Sequence, residues 1–278
     1  MNFYKMHGLG NDFIMLENPV VAEERLSELA IKLCNRHEGI GADGIILLLP
    51  SLESDIRMRI INADGSEADM CGNGIRCFAK IAYEKKLVKK NKFKIETYAG
   101  IMIPELILEN DKVVAVKVDM GSPVFNRTAI PKNGNEKDAI NMEIPFNDGI
   151  ISVSSLLMGV PHTMVFVEDI DLADVAGLGS KIEKHNLFPK GTNVNFVEVI
   201  NKNEIKIKTW ERGAGQTLAC GTGSCAAVVA SVLNKKTSSK VTVHLPLGKL
   251  LIEWAGEHVF MTGPASFVYS GEIEVMFF

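Results

Sequence analysis

Between residues 22 and 37 apolar side chains recur at Leu26, Leu29, Ala30, Leu33 and Cys34, the spacing of one helix face, and predict a helix. The same spacing returns after Cys71, at Ile75, Phe78, Ala79 and Ala82, and predicts a second. A third begins at Cys220, in CGTGSCAAVVASVLNKK, and is apolar nearly all round until Asn234, as a helix buried on every side must be. Short alternating runs such as DIRMRI (55–60) and EIKIKT (204–209) read as half-buried strands. Strands should outnumber helices. Cys34 lies on an apolar stripe and reads as a small core residue.

The two alternating runs belong to a larger repeat. Cys71 lies 149 positions before Cys220, and the same shift lays Gly72 on Gly221, Gly74 on Gly223 and DIRMRI on EIKIKT. KFKIETYAG (92–100) matches KVTVHLPLG (240–248) with one residue of slippage. GLGNDFIML (8–16) resembles GVPHTMVFV (159–167), which sets Asn11 against His162. A single repeat of about 150 residues is too long for a solenoid and implies two similar domains. The fold expected is mixed α/β (α+β): two pseudo-symmetric domains, each a strand-rich sheet or barrel around a central helix. The stretch from Asp119 to about Ser155, rich in Pro, Gly and Asn, should carry the crossover, so the boundary falls near residue 118. The N-terminal domain is then 1–118 and the C-terminal domain 119–263. The last strand, within 264–278, is expected to return to the first domain, because chain ends often lie close together.

Composition narrows the function. A chain of 278 residues has material for two cores, and a net charge of −4 argues against non-specific nucleic-acid binding. The one dense basic run, YEKKLVKKNKFK (83–94), reads as a solvated face. MNFYKMHGLG lacks the basic and apolar regions of a signal peptide, and no apolar stretch reaches the roughly 18 residues of a membrane span. A cytoplasmic location is expected, where thiols stay reduced. The five cysteines, at 34, 71, 77, 220 and 225, include no C-x-x-C pair, so no metal is expected.

Two of those cysteines carry the chemistry. Cys71 and Cys220 each stand before Gly-x-Gly at a predicted helix start. A helix N-terminus offers unpaired N–H groups and a partial positive charge, which favour a thiolate and can cradle a carboxylate; the glycines let a ligand approach the backbone. If the two units meet about a pseudo-two-fold axis, one carboxylate takes N–H bonds from both helices. Its attached carbon then has a sulfur on either face, one removing a proton and the other delivering one. That inverts a stereocentre with no pyridoxal phosphate. Two buried structural cysteines are the plainer reading, but it does not explain why both precede glycines. Cys77 and Cys225, inside the helices, read as structural.

NADGSEADMCGNGIRCFA (62–79) and ERGAGQTLACGTGSCAA (211–227) resemble the two signature segments of the diaminopimelate epimerases, as do HGLGNDF (7–13) and FPKGTNVNFVEV (188–199). The resemblance runs from residue 3 to the C-terminus. It implies a cofactor-independent two-thiol enzyme that interconverts LL- and meso-diaminopimelate for lysine and peptidoglycan precursors. Carried over position by position, it makes Cys71 and Cys220 the proton-transferring pair. It makes Gly72 and Asn73, with Gly221 and Thr222, the backbone cradle for the reacting carboxylate. Asn11, Asn62, Asn193, Glu211 and Arg212 match substrate-binding positions, Arg212 suiting bidentate capture of the far carboxylate. His162 and Glu211 match residues that tune the cysteines. Expected partners are the small molecule diaminopimelate and, at most, a second copy of the chain in a homodimer; neither nucleic acid nor a membrane is expected.

Two positions depart from the family pattern: Val160 stands where many members have Asn, and Gly44 where some have Gln. Polar recognition is expected to be looser there, or supplied by another residue. The nearest rival is an amino-acid racemase of the proline racemase type, but proline offers nothing for Arg212, Asn62 and Asn193 to bind. A phenazine-type isomerase on the same fold works without the cysteine pair. A thiol-redox or metal-binding module is a third class, for which metal analysis is the test.

Overall fold

The computed structural model describes residues 1–19, 21–125, 139–146 and 149–274. Much of the predicted crossover (126–138 and 147–148) and the last four residues of the predicted final strand lie outside them. The chain divides into two compact units, Met1–Val118 with Thr262–Phe278, and Asp119–Met261.

The first unit runs β1 (Asn2–Gly8), β2 (Asn11–Glu17), α1 (Leu26–Cys34), β3 (Gly44–Leu49), β4 (Ile56–Asn62), β5 (Glu67–Ala68), α2 (Gly72–Glu84), β6 (Ile95–Thr97), β7 (Gly100–Met102), β8 (Glu105–Glu109) and β9 (Lys112–Asp119). The second unit runs β10 (Met142–Phe146), β11 (Gly149–Met158), β12 (Val160–Val167), α3 (Val175–Glu183), β13 (Asn193–Asn201), β14 (Glu204–Glu211), β15 (Gly215–Thr217), α4 (Gly221–Leu233), β16 (Lys240–Leu245), β17 (Gly248–Ala255) and β18 (His258–Gly263), before β19 (Ser266–Glu272). β19 pairs antiparallel with β1 in the first unit, so the return of the chain's end is a strand pairing.

The first sheet has the order β19-β1-β2-β3-β4-β6-β7, with β5 on β4. β2 and β3 are parallel, and β3 and β4 antiparallel. Successive side chains point to opposite faces. One face buries Ile14, Leu16, Ile45, Leu47 and Ile61 against Leu26, Leu29, Ala30 and Leu33 of α1. α2 packs across β1 to β4, on the face that holds Phe13, Ile46 and Ile60. Both faces are covered, which is why β3 reads GIILLL with no polar alternation. α1 is shorter than the predicted 22–37. A 3-10 turn, Glu23–Arg25, precedes it, and at Asn35 the backbone leaves the helix while the Asn35 side chain accepts from the N–H groups of His37 and Glu38.

The second unit repeats the arrangement. β12 and β13 are parallel, β13 and β14 antiparallel, and α4 packs across β11 to β14, β16 and β17. The opposite face buries Val165, Val194 and Phe196 against Val175 and Ile182 of α3. The register corrects one detail of the repeat. Phe13 pairs with Gly44 and Gly44 with Asn62, whereas His162 pairs with Asn193, and Val194 with Trp210. The 149-residue offset therefore holds through the strands, and it is Phe13 rather than Asn11 that occupies the place of His162. Sequence likeness in β2 and β12 slips by two residues because apolar alternation has a period of two.

Candidate functional site

In both units the cysteine is the residue on which the helix begins. Cys71 is the N-cap of the 13-residue α2, in extended backbone, and its Sγ accepts from the Gly74 N–H at 3.4 Å. Cys220 is the N-cap of the 13-residue α4, and its Sγ accepts from the Gly223 N–H at 3.3 Å. Each sulfur satisfies a first-turn donor that has no intrahelical acceptor, and sits in the positive end of the helix dipole. A thiolate is the better acceptor for such a bond, so both sites favour ionisation. The core thiols Cys34 and Cys77 behave oppositely. Burial raises Cys34 to about 11 and Cys77 to about 12, which makes them inert core residues.

Around Cys71 the first unit builds a polar shell. Asn11 Oδ1 lies 3.6 Å from the Cys71 Sγ and accepts from Asn73 Nδ2 at 3.2 Å, while Asn11 Nδ2 donates to Asp43 at 2.7 Å. Asp43 and Asp12 are held by Arg36, at 2.8 and 2.7 Å, and Asp12 also takes Lys5. Burial opposes the Asp12 charge, but the hydrogen bonds from Arg36 and Lys5 outweigh it and hold the carboxyl at about 2. Asn11 is thereby anchored from behind, so its carbonyl is fixed toward the sulfur. Asn62 is placed otherwise: its Nδ2 donates to Ser66 and its backbone closes the turn that follows β4.

Beneath this shell lies Arg76, wholly buried, three positions past Asn73. Its guanidinium donates to the Gly72 carbonyl at 2.9 Å, Asn73 Oδ1 at 3.0 Å and the Pro264 carbonyl at 3.1 Å. It ties the helix start to the residues before β19 and orients the Asn73 amide toward Asn11.

In the second unit Thr222 Oγ1 lies 3.5 Å from the Cys220 Sγ. Asn193 spans two backbone groups, donating to Pro161 O at 3.1 Å and accepting from Arg212 N at 2.9 Å. It so fixes the start of the segment that presents Arg212. The Arg212 guanidinium donates to Lys190 O at 2.7 Å, and its stem passes Gly191, where an added Cβ would come within 2.8 Å of Cδ. Glu211 accepts from Thr217 Oγ1 at 2.6 Å, a bond that fixes its carboxylate. His162 is fully buried, and burial, reinforced by the charge of Arg212, pushes its imidazole down to about 3, so it is neutral near pH 7. Asn195 Nδ2 meets His162 Nδ1 at 3.2 Å, and Thr209 Oγ1 donates to Asn195 Oδ1 at 3.0 Å.

Within each unit, then, the residues singled out by sequence gather in part. Asn11, Cys71, Gly72 and Asn73 form one group; Cys220, Gly221 and Thr222 a second; Asn193 and Arg212 a third. Asn62 and Glu211 hold bonds of their own. Sequence reasoning missed Asp43, Arg76, Asn195 and Thr209. Asn195 could have been found, since it follows Asn193 by two residues and shares its face of β13. Arg76 gave no signal, because an arginine on a helix is ordinarily a surface residue.

The two departures from the family pattern differ in kind. At Gly44 an added Cβ would stand 2.8 Å from the Ile61 carbonyl, so the strand pairing leaves no room for a side chain as placed. Val160 opens β12 and is exposed. Among the described residues no group of three His, Cys, Asp or Glu side chains is placed to hold a metal ion, and no helix is long and apolar enough to cross a membrane.

Solved structures resembling this chain include a phenazine biosynthesis protein of the PhzF family from Bacillus anthracis, at TM-score 0.70 and 16% identity, covering 99% of both chains. A hydroxyproline epimerase from Agrobacterium vitis aligns at TM-score 0.68 and 15% identity, over 98% of this chain and 90% of that one. Identity this low speaks to the fold alone, a mixed α/β architecture of two sheets. Sequence is more specific. A diaminopimelate epimerase of Heliobacterium modesticaldum is 52% identical over 279 aligned residues, 98% of this chain and 99% of that protein. Residues 3–126 and 154–268, which hold both capping cysteines and their shells, match the family described as diaminopimelate epimerase, and the chain belongs to that family.

Proposed function

We propose that this protein is an isomerase that interconverts LL-2,6-diaminopimelate and meso-diaminopimelate, serving lysine and peptidoglycan precursor synthesis in the cytoplasm. One observation carries the mechanism: two cysteines, at equivalent positions of a duplicated sheet, cap helices of equal length with their sulfurs on first-turn N–H groups. In this reading one sulfur, as thiolate, takes the proton from the reacting α-carbon. The other, as thiol, delivers a proton to the opposite face, and the roles exchange for the reverse direction. The proton added is not the one removed.

The reacting carboxylate sits on the first-turn amides of Gly72 and Asn73 and of Gly221 and Thr222, which favour the charge that builds up as the carbanion forms. Asn11 and Asn73 hold the Cys71 end. His162 and Glu211 tune the thiols, and Asn62, Asn193 and Arg212 recognise the distal amino-acid end. No pyridoxal phosphate enters this scheme, because the helix termini and the two thiols supply charge stabilisation and proton transfer.

The test is epimerisation in heavy water, with LL-diaminopimelate and with L-proline, using protein prepared without pyridoxal phosphate. Meso product bearing one solvent deuteron at the inverted carbon is expected from the first and no exchange from the second. Turnover of proline, or a need for added pyridoxal phosphate, would overturn the reading.

A further inference from the structure

The duplicated frame allows the surroundings of the two helix starts to be compared position by position. On the face of the first sheet that meets α2 stand Phe13, Ile46 and Ile60, all buried. A Cβ added to Gly74 would meet Ile46 Cδ1 at 2.8 Å and Phe13 Cζ at 3.6 Å, so the helix start rests on hydrocarbon. By the strand register their counterparts in the second unit are His162, Asn195 and Thr209. These are buried as deeply, at 0%, 0% and 2% exposure. A Cβ added to Gly223 would stand 2.4 Å from Asn195 Oδ1, so this helix start rests on an amide.

Packing does not ask for that amide. The first unit closes the same frame with apolar residues, and burying polar groups is unfavourable unless they are bonded. Here they are bonded in one direction. The Thr209 hydroxyl donates to Asn195 Oδ1, which leaves the Asn195 amide nitrogen to face His162 Nδ1 at 3.2 Å, with Met164 Sδ at 4.0 Å. An amide nitrogen can only donate, so Nδ1 must accept, and the proton of the neutral ring is on Nε2. Nε2 is buried and has no hydrogen-bond partner. A buried donor left without a partner requires an explanation, and at this one, behind a helix start, a bound reactant supplies it.

We propose that Asn195, backed by Thr209, is a positioning residue that holds His162 as its Nε2–H tautomer behind the Cys220 helix start. The proposal rests on the epimerase reading above and deepens it. The chain of bonds makes the two thiols unequal. The α2 start rests on an apolar wall at Gly74, with Asn11 the polar group beside the Cys71 sulfur, whereas the α4 start is backed by an imidazole whose proton cannot transfer to Nδ1 without breaking the bond from Asn195. A hydrogen bond to one ring nitrogen fixes ring orientation and tautomer wherever histidine must donate from the other.

Two measurements test it. In 15N-histidine-labelled protein at pH 7, the His162 ring nitrogens should show the Nε2–H pattern, and in Asn195→Asp, whose carboxylate can only accept, the proton should move to Nδ1. Steady-state rates should follow, with kcat for LL-diaminopimelate falling at least about tenfold in Asn195→Asp and KM changing little. Thr209→Val, which keeps the shape and loses the hydroxyl, should give a smaller fall in kcat that Thr209→Ser reverses; this pair carries the test if Asn195→Asp does not fold. An Nδ1–H tautomer in the parent protein, or a tautomer change that leaves kcat intact, would overturn the assignment. Parent protein that leaves diaminopimelate unchanged would instead sink the epimerase reading, while the tautomer result would still stand.

Discussion

The capping geometry gives Cys71 and Cys220 two separable tasks, and serine separates them. A serine oxygen is a stronger N-cap acceptor than sulfur but far too weak an acid to reach the ionised form near neutral pH, where a thiol starts from about 8.5. Alanine removes both cap and base. Each Sγ takes one first-turn N–H, from Gly74 at 3.4 Å and from Gly223 at 3.3 Å. Loss of a cap costs about 1 kcal/mol, and in a protein of this size each kcal/mol moves the melting temperature by about 2–4 °C. Cys71→Ala and Cys220→Ala should therefore each melt a few degrees below the parent, while the serine variants melt at or above it. All four should lose epimerisation by about 10²–10⁴-fold or more, since a two-base reaction has no spare group. Scanning calorimetry and a coupled assay on LL-diaminopimelate supply the two readouts. Equal melting temperatures for the Ala and Ser variants would refute the capping argument, and a serine variant with parental turnover would refute the two-base one.

Three further outcomes follow from the geometry. His162 is held at about 3 in the folded protein, below its unfolded value of about 6.5, so the unfolded chain binds the extra proton and stability falls as pH drops between those values. Relative to His162→Gln, the parent should lose on the order of 1 kcal/mol per pH unit in that window and nothing above it; parallel pH profiles from urea melts would show the ring is not buried neutral. Gly223→Ala places a Cβ 2.4 Å from Asn195 Oδ1 and 3.1 Å from the Cys220 Sγ, so it should cost about 1–3 kcal/mol and slow turnover, whereas an unperturbed rate would mean the helix start can move freely. Arg212→Met should cut kcat/KM for LL-diaminopimelate by about a hundredfold, roughly 3 kcal/mol, if this side chain anchors the distal end; parental activity would remove it from that role.

What the sequence by itself determined is what short-range physics controls. Capping is local: a cysteine followed by Gly-x-Gly must place its sulfur near the third amide, and both helices begin where that pattern stands. Amphipathic spacing is also local, and Leu26, Leu29, Ala30, Leu33 and Cys34 are all buried as their stripe required. Only the tertiary structure decided the rest. Helix α3 carries two glycines and weak propensity, so no pattern announced it; Gly179 is there because a Cβ would strike Trp210 at 2.7 Å. Arg76 shows no signal because its acceptors, the Gly72 carbonyl, Asn73 and Pro264, include one 188 positions away along the chain. The pairing of Phe13 with the place of His162 likewise waited for the sheet, because alternation repeats every two residues and cannot distinguish registers that differ by two. The asymmetry between the two helix starts rests on that register: one rests on hydrocarbon at Gly74, the other on a hydrogen-bonded chain of Thr209, Asn195 and His162, and only strand pairing brings those three residues together.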